Sequence, residues 1–209
     1  MKIIQCVQGE PEWLQARLGI PTSSNFGKII TPGGSPSKQA GAYANKLIAE
    51  YLTGGPVDEY INAAMQEGIE RESEARLLYE LEISTDVVQV GFITTDDGLS
   101  GTSVDGMVDN DGLVEIKNPL ASTHVSYLLD GKVPTKYLPQ IYGQMHVAEK
   151  EWVDFLSYYP GLPHMIVRVH RDETYIAALI RELDSFNELM DERKSQLKKL
   201  GIEPIREET

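Results

Sequence analysis

The sequence predicts an α/β domain of the α+β kind, with strands gathered mid-chain and helices on either side. Three observations predict it. Residues 87–117 are rich in β-formers and are punctuated by two turns, Asp96-Asp97-Gly98 and Asp109-Asn110-Asp111-Gly112. Apolar residues recur at helical spacing before and after that stretch, and residues 152–171 return to strand composition ahead of a final helical pattern. The length of 209 residues suits one domain, 1–209, with a real core.

In chain order, Pro11–Leu18 reads as a short helix anchored by Trp13 and ended by Gly19. Thr22, Ser23 and Ser24 follow where a second helix should begin. Free N–H groups at such a start attract anions, and Arg17 adds a fork of donors suited to phosphate; the plainer alternative is that Thr22 or Ser23 caps the helix. Thr31–Ser37 is a Gly/Pro loop or flap. Residues 39–52 show helical spacing through Ala44, Leu47, Ile48 and Tyr51 and stop at Gly54-Gly55-Pro56. A longer helix is predicted over Asn62–Glu82, with Met65, Ile69, Leu77, Leu78 and Leu81 as its core stripe. Its polar side carries Glu67, Glu70, Glu72 and Glu74, normally a solvated face with a weak Glu72–Arg76 pair. An acid turned inward there would add a metal ligand, and periodicity does not choose which.

Val87–Thr94 and the two segments around the second turn predict three adjacent antiparallel strands, the central one carrying Asp105. Thr123–Leu129 is a short helix. Pro134–Lys150 is a longer one that tolerates Pro139 in its first turns and carries Tyr137, Gln140, Tyr142 and Gln144. Trp152–Tyr159 and Met165–Arg171 form a hairpin through Pro160–Pro163, and Glu173–Leu200 closes the chain as an amphipathic helix with a basic end.

Composition excludes several classes. Cys6 is the single cysteine, so no internal disulfide forms and a reducing compartment is expected. No stretch approaches a membrane span or a signal peptide, which predicts a cytoplasmic protein without a membrane partner. The net charge of −13 argues against a general nucleic-acid coat protein. It leaves room for a nuclease that confines positive charge to a channel and its metal ions. The histidines at 124, 146, 164 and 170 lack zinc spacing, and Asp109-Asn110-Asp111-Gly112 lacks the later ligands of a calcium loop.

The chemistry concentrates in residues 100–119. In Leu113-Val114-Glu115-Ile116-Lys117 the side chains alternate, so Val114 and Ile116 share one face while Glu115 and Lys117 share the other. Counting back through the turn places Asp105 within a register step of Glu115. Two carboxylates and an ammonium on half-buried strands suit a hard divalent cation. A bare Glu-x-Lys is more often an incidental surface pair. Asp105-Gly106, the turn between, and the Asn118-Pro119 stop weigh against that reading here.

With this hairpin following an acidic helix and preceding a Gln/Tyr helix, the chain resembles the PD-(D/E)xK nuclease superfamily, and within it the phage lambda exonuclease and YqaJ-type viral recombinase family. The likeness runs through Arg17-Leu18-Gly19-Ile20-Pro21-Thr22-Ser23-Ser24, Gly68-x-x-x-Glu72-x-x-Ala75-Arg76, Ser103-x-Asp105-Gly106, Glu115-x-Lys117-x-Pro119, Tyr137-x-x-Gln140 and Arg171-Asp172-Glu173-x-Tyr175. It implies a restriction-endonuclease-like core, a mixed central β-sheet flanked by helices. It also implies a Mg²⁺-dependent 5′-to-3′ double-strand DNA exonuclease, with Mn²⁺ as a substitute ion, leaving 3′ single-stranded tails for phage-type recombination with a single-strand annealing protein. A homotrimeric ring around a DNA end, inside a bacterial host, belongs to the same expectation. Asp105, Glu115, Lys117 and Gln140 are the catalytic candidates; Glu72, Asp105, Glu115 and the Ile116 carbonyl would hold metal; Arg17 and Ser24 would form a 5′-phosphate pocket. Where relatives carry a second glutamine two places after Gln140, this chain has Tyr142. The competing readings are an endonuclease of the same superfamily and a DNA-binding relative without catalysis.

Overall fold

The computed structural model describes residues 1–57 and 63–205, with side chains from residue 71 onward in the second stretch. Two sheets organise it. A five-stranded sheet runs in the order β2 (Val87–Val88), β5 (Gly106–Val108), β6 (Gly112–Lys117), β7 (Trp152–Ser157) and β8 (Met165–His170). β6 and β7 are parallel and the other neighbours antiparallel, which makes the sheet mixed. A small second sheet joins β1 (Lys2–Ile4), β3 (Phe92–Thr94) and β4 (Gly101–Thr102).

The predicted single strand over 87–94 is therefore two strands in different sheets. The break falls at Gly91, where a Cβ would lie 2.5 Å from the carbonyl oxygens of both Ile4 and Cys6. The chain passes too close to the first strand for any side chain, and it leaves one sheet for the other. Only Val87–Val88 accompanies the Asp105 segment, which sits between it and β6 as expected.

Helices cover both faces. α1 is Pro11–Arg17, with proline in its first turn where no intrahelical partner for N–H is lost, and the chain turns at Gly19 with φ +67°. The predicted second α-helix is instead a 3₁₀ helix, Ser23–Lys28. Neither hydroxyl caps it: Thr22 makes no side-chain cap bond, and Ser23 Oγ pairs with Thr102 Oγ1 at 2.6 Å. α2 (Ala40–Thr53) ends at Gly54 in the left-handed region. α3 (Ala63–Ile83) matches the expected long helix; Asn62 and the side chains of Met65, Glu67, Ile69 and Glu70 lie outside the described residues. α4 (Ala121–Asp130), α5 (Leu138–Val147, after a 3₁₀ turn at Thr135–Tyr137) and α6 (Glu173–Lys199) complete the set. Asp172 caps α6 by accepting from the N–H groups of Thr174 and Tyr175.

The expected core stripe of α3 is displaced in part: Leu78 packs against the core as expected. Leu77 and Leu81 are exposed, whereas Ala75 and Tyr79 are fully buried against Val114, Ile116 and Leu156 on one face of the main sheet. Polar anchoring explains the rotation: the Tyr79 hydroxyl donates to Asp154 at 2.7 Å, and Asp154, itself buried, takes both Nε and Nη2 of Arg168 at 2.8 Å. A buried carboxylate needs those partners, and meeting them fixes which side of α3 faces the sheet. The opposite face carries the larger core, where Leu113, Val153 and Phe155 meet residues of α2, α5 and α6. Glu115 alternates onto that second face with Leu113, toward α5.

β5 begins at Gly106 because β2 leaves no room there: a Cβ would fall 1.9 Å from Val87 Cγ1. Gly106→Ala is expected to cost about 1–3 kcal/mol through that overlap. A denaturant titration with an unchanged midpoint would show that β2 yields freely.

Candidate active site

Gly106 pairs with Val114 in an antiparallel register, so Asp105, one step earlier, stands across from Glu115. Beyond that point β6 has no strand on its β5 edge. The Asp105 side chain fills the gap, its Oδ2 accepting the Ile116 N–H at 2.6 Å. A strand residue presents its N–H and carbonyl to the same edge. The Ile116 carbonyl therefore shares the Asp105 edge, while the Lys117 carbonyl is bonded on the other side to Tyr158 N–H.

Glu115 is 1% exposed, which for a carboxylate demands donors. It has three. Lys117 Nζ contacts Oε1 directly, Gln140 Nε2 donates to Oε1 at 2.7 Å, and Gln144 Nε2 donates to Oε2. Gln140 and Gln144 are one helical turn apart on α5 and so reach the same carboxylate. Gln144 carries no role in the sequence reading; its i,i+4 spacing from Gln140 was the signal that could have found it. Tyr142, where a second amide was in question, faces elsewhere and stacks on Tyr175 at 4.7 Å between ring centroids. The second amide thus comes from four places on, not two.

The charges at this end of the ribbon act on one another. Burial first, then the neighbouring Glu115 charge, pushes the Asp105 carboxyl well above the usual range, with Lys117 pulling back and Glu72 adding to the rise. Glu72 on α3 is also raised, by burial and by Glu115, against the lowering from Arg76, whose Nη2 lies 3.6 Å from Glu72 Oε1. For Lys117, burial works to lower the ammonium, yet Glu115 and Asp105 outweigh it and the group is raised. Its Nζ also lies 5.3 Å from the Tyr137 ring centroid. Lys117 thus lies against the Glu115 carboxylate and beside Asp105, where its ammonium is favoured.

The donor set fits a hard divalent ion. Asp105, Glu115 and Glu72 repel one another electrostatically, and oxygen donors under mutual repulsion are relieved by a cation between them. The side-chain amide oxygen of Gln144, buried beside Glu115, has no hydrogen-bond partner and offers a further acceptor for an ordered water. Among the described residues no three His, Cys, Asp or Glu side chains stand close enough to enclose an ion unaided. Glu72 rises from the helix on the other sheet face, so of the candidate donors Asp105, Glu115 and the Ile116 carbonyl lie together on β6 and its edge, and Glu72 stands apart from them.

The expected phosphate residues part company. Arg17 packs over the Trp13 ring at 4.1 Å, and Trp13 Nε1 donates to Ser103 Oγ at 2.8 Å, two residues before Asp105. With Thr22, Asn25, Lys46 and Glu50, Arg17 lines a cavity of about 80 Å³. Ser24 lies outside that lining; its Oγ sits 3.3 Å from Thr22 Oγ1 and accepts from Asn25 Nδ2 at 3.4 Å.

Fold and site together define a class, and comparison with known proteins agrees. The model of the YqaJ-like viral recombinase domain matches residues 12–151, and the chain belongs to that family. Among solved structures it is similar to an alkaline exonuclease, LHK-Exo, from Laribacter hongkongensis, at 34% identity over 92% of this chain and 98% of that one, with a TM-score of 0.84. The same enzyme in complex with dAMP superposes with a TM-score of 0.85. A phage-related exonuclease from Haemophilus somnus 129PT shares the fold at 16% identity over 85% of this chain and 96% of that one, TM-score 0.67. Comparison with the curated proteins brings no match. No helix among the described residues is long and apolar enough to cross a membrane.

Proposed function

We propose that the chain is a Mg²⁺-dependent exonuclease that degrades the 5′-ended strand of linear duplex DNA and leaves 3′ single-stranded tails. The exonuclease class comes with the family and with the 34% identity to an alkaline exonuclease along nearly the whole chain. The observation that carries the hydrolytic centre is the meeting of Asp105, Glu115, Lys117 and Gln140 at one end of the β5–β6 ribbon, while the strand polarity follows the family resemblance.

Hydrolysis of a phosphodiester needs an attacking water in line with the leaving oxygen and positive charge at the phosphoryl oxygens. A bound Mg²⁺ supplies that charge and a more acidic water; Mn²⁺ would serve in its place. Asp105, Glu115 and the Ile116 carbonyl would hold the ion, with Glu72 acting through water. Lys117 moves its ammonium from Glu115 to the developing negative charge, and Gln140 positions the Glu115 carboxylate through the hydrogen bond it donates. Arg17 receives the terminal 5′-phosphate in the cavity that it lines, with Ser24 as a second donor from beyond that lining. In the same reading the product strand passes to a single-strand annealing protein, and three copies close a ring around the duplex.

Digestion of linear duplex with each strand end-labelled in turn tests the reading. Release should begin at the 5′ label in Mg²⁺, and covalently closed circles should survive; loss of the circles would make the enzyme an endonuclease. Arg17→Ala is expected to lower the preference for 5′-phosphorylated over 5′-hydroxyl ends by about tenfold, the scale of one charge-assisted hydrogen bond. An unchanged preference would return Arg17 to packing on Trp13.

A further inference from the structure

We propose that Lys136 binds a backbone phosphate of the DNA strand lying in the Asp105–Glu115 centre, an inference that rests on the nuclease reading above. Lys136 occupies the exposed 3₁₀ turn between α4 and α5. Most cations near the centre answer to an acid: Lys117 to Glu115, Arg76 to Glu72, Arg168 to Asp154. Lys136 has no carboxylate within ion-pair distance among the described residues. Its Nζ rests instead on aromatic rings, 4.8 Å from the Tyr137 centroid and 5.9 Å from that of Tyr127.

That platform is rigid and belongs to the site. Tyr127 and Tyr137 meet edge to face at 6.5 Å, and Tyr137 packs at 5.3 Å on Phe155, which is fully buried in β7. The other neighbour of the Tyr137 ring is Lys117 Nζ. The two ammonium groups therefore share one ring, and their separation cannot exceed the sum of their distances to it. That bound is long enough to take in the phosphate next to the one at Lys117 on the same strand. A strand positioned for hydrolysis beside Lys117 brings a neighbouring phosphate within reach of Lys136.

Two further properties agree. Against the desolvation that would lower it, the Tyr127 and Tyr137 hydroxyls hold the Lys136 ammonium above its ordinary value. In a chain of net charge −13, cations that face DNA must be local, and one held on rings rather than neutralised by an acid keeps its charge for a ligand. A lysine kept only for solubility has no need of such packing.

The test is the salt dependence of DNA affinity. Fluorescence anisotropy of a labelled linear duplex is followed with the full chain, in Ca²⁺ rather than Mg²⁺ to hold back cleavage, across 50–200 mM KCl. Lys136→Gln is expected to reduce the slope of log K against log salt by about 0.9, one phosphate contact, so that the affinity ratio across that range shrinks roughly 3.5-fold. Lys136→Arg, which retains charge, should keep the wild-type slope. A wild-type slope in Lys136→Gln overturns the proposal. Wild-type protein with no salt-dependent affinity for the duplex overturns the DNA reading instead, so the two failures are distinct.

Discussion

Lys117→Ala is expected to lower the rate of linear duplex digestion in Mg²⁺ by about 10²–10⁴-fold, the range typical when a positioned charged group in the transition state is removed. Lys117 is the cation in direct contact with Glu115, and the strand period holds the two on one face whatever the loops do. The variant also leaves a buried carboxylate with only neutral amide donors, so its fold needs a separate check. Circular dichroism and duplex binding in Ca²⁺ supply it, and Lys117→Met, which keeps the aliphatic stem, controls for lost packing. Wild type treated with EDTA should fall to a comparable floor. Equal rates for wild type, the variant and the chelated enzyme would remove the hydrolytic assignment.

Asp105→Asn is expected to separate stability from metal binding. In the ion-free protein the Asp105 charge is opposed by burial, by Glu115 and by Glu72. Asparagine discards the charge while its amide oxygen still accepts the Ile116 N–H. The ion-free Tm should rise by roughly 2–4 °C, the shift that about 1 kcal/mol produces in a domain of this size. Mg²⁺ should then act unequally on the two proteins. At 100 times its Kd an ion adds about 2.7 kcal/mol to the form that binds it; the wild type should gain that and the variant little. Calorimetric melts with and without Mg²⁺ decide the matter. An equal gain in both would place the ion elsewhere.

What the chain disclosed before folding depended on the range of the interaction. The β5–β6 ribbon was legible because alternation and a turn fix it locally; Glu115 and Lys117 had to share a face. The end of α2 was legible for the same reason, through Gly54. The split of residues 87–94 was not, because it depends on how near Gly91 passes to Ile4 and Cys6, residues distant in sequence. Nor was the rotation of α3, since Leu77 and Leu81 satisfy helical spacing as well as Ala75 and Tyr79 do. The Tyr79–Asp154–Arg168 bonds decide between the two faces, and Asp154 sits on a strand with no local mark of that partnership. In the site, Gln144 meets Glu115 because a helix returns to the same face after four residues, whereas the position two after Gln140 is turned away.

The parallel pairing of β6 with β7 has a temporal consequence. These strands become neighbours only across α4, the aromatic turn and α5, so pairing them closes a loop of that whole segment, a cost the local β5–β6 turn does not carry. Until the pair forms, the two glutamines of α5 are not lodged against Glu115. A nascent or half-refolded molecule would hold the acids without the amides that discipline them, so the capacity to cut nucleic acid should mature with that closure rather than with the ribbon that bears Asp105, Glu115 and Lys117.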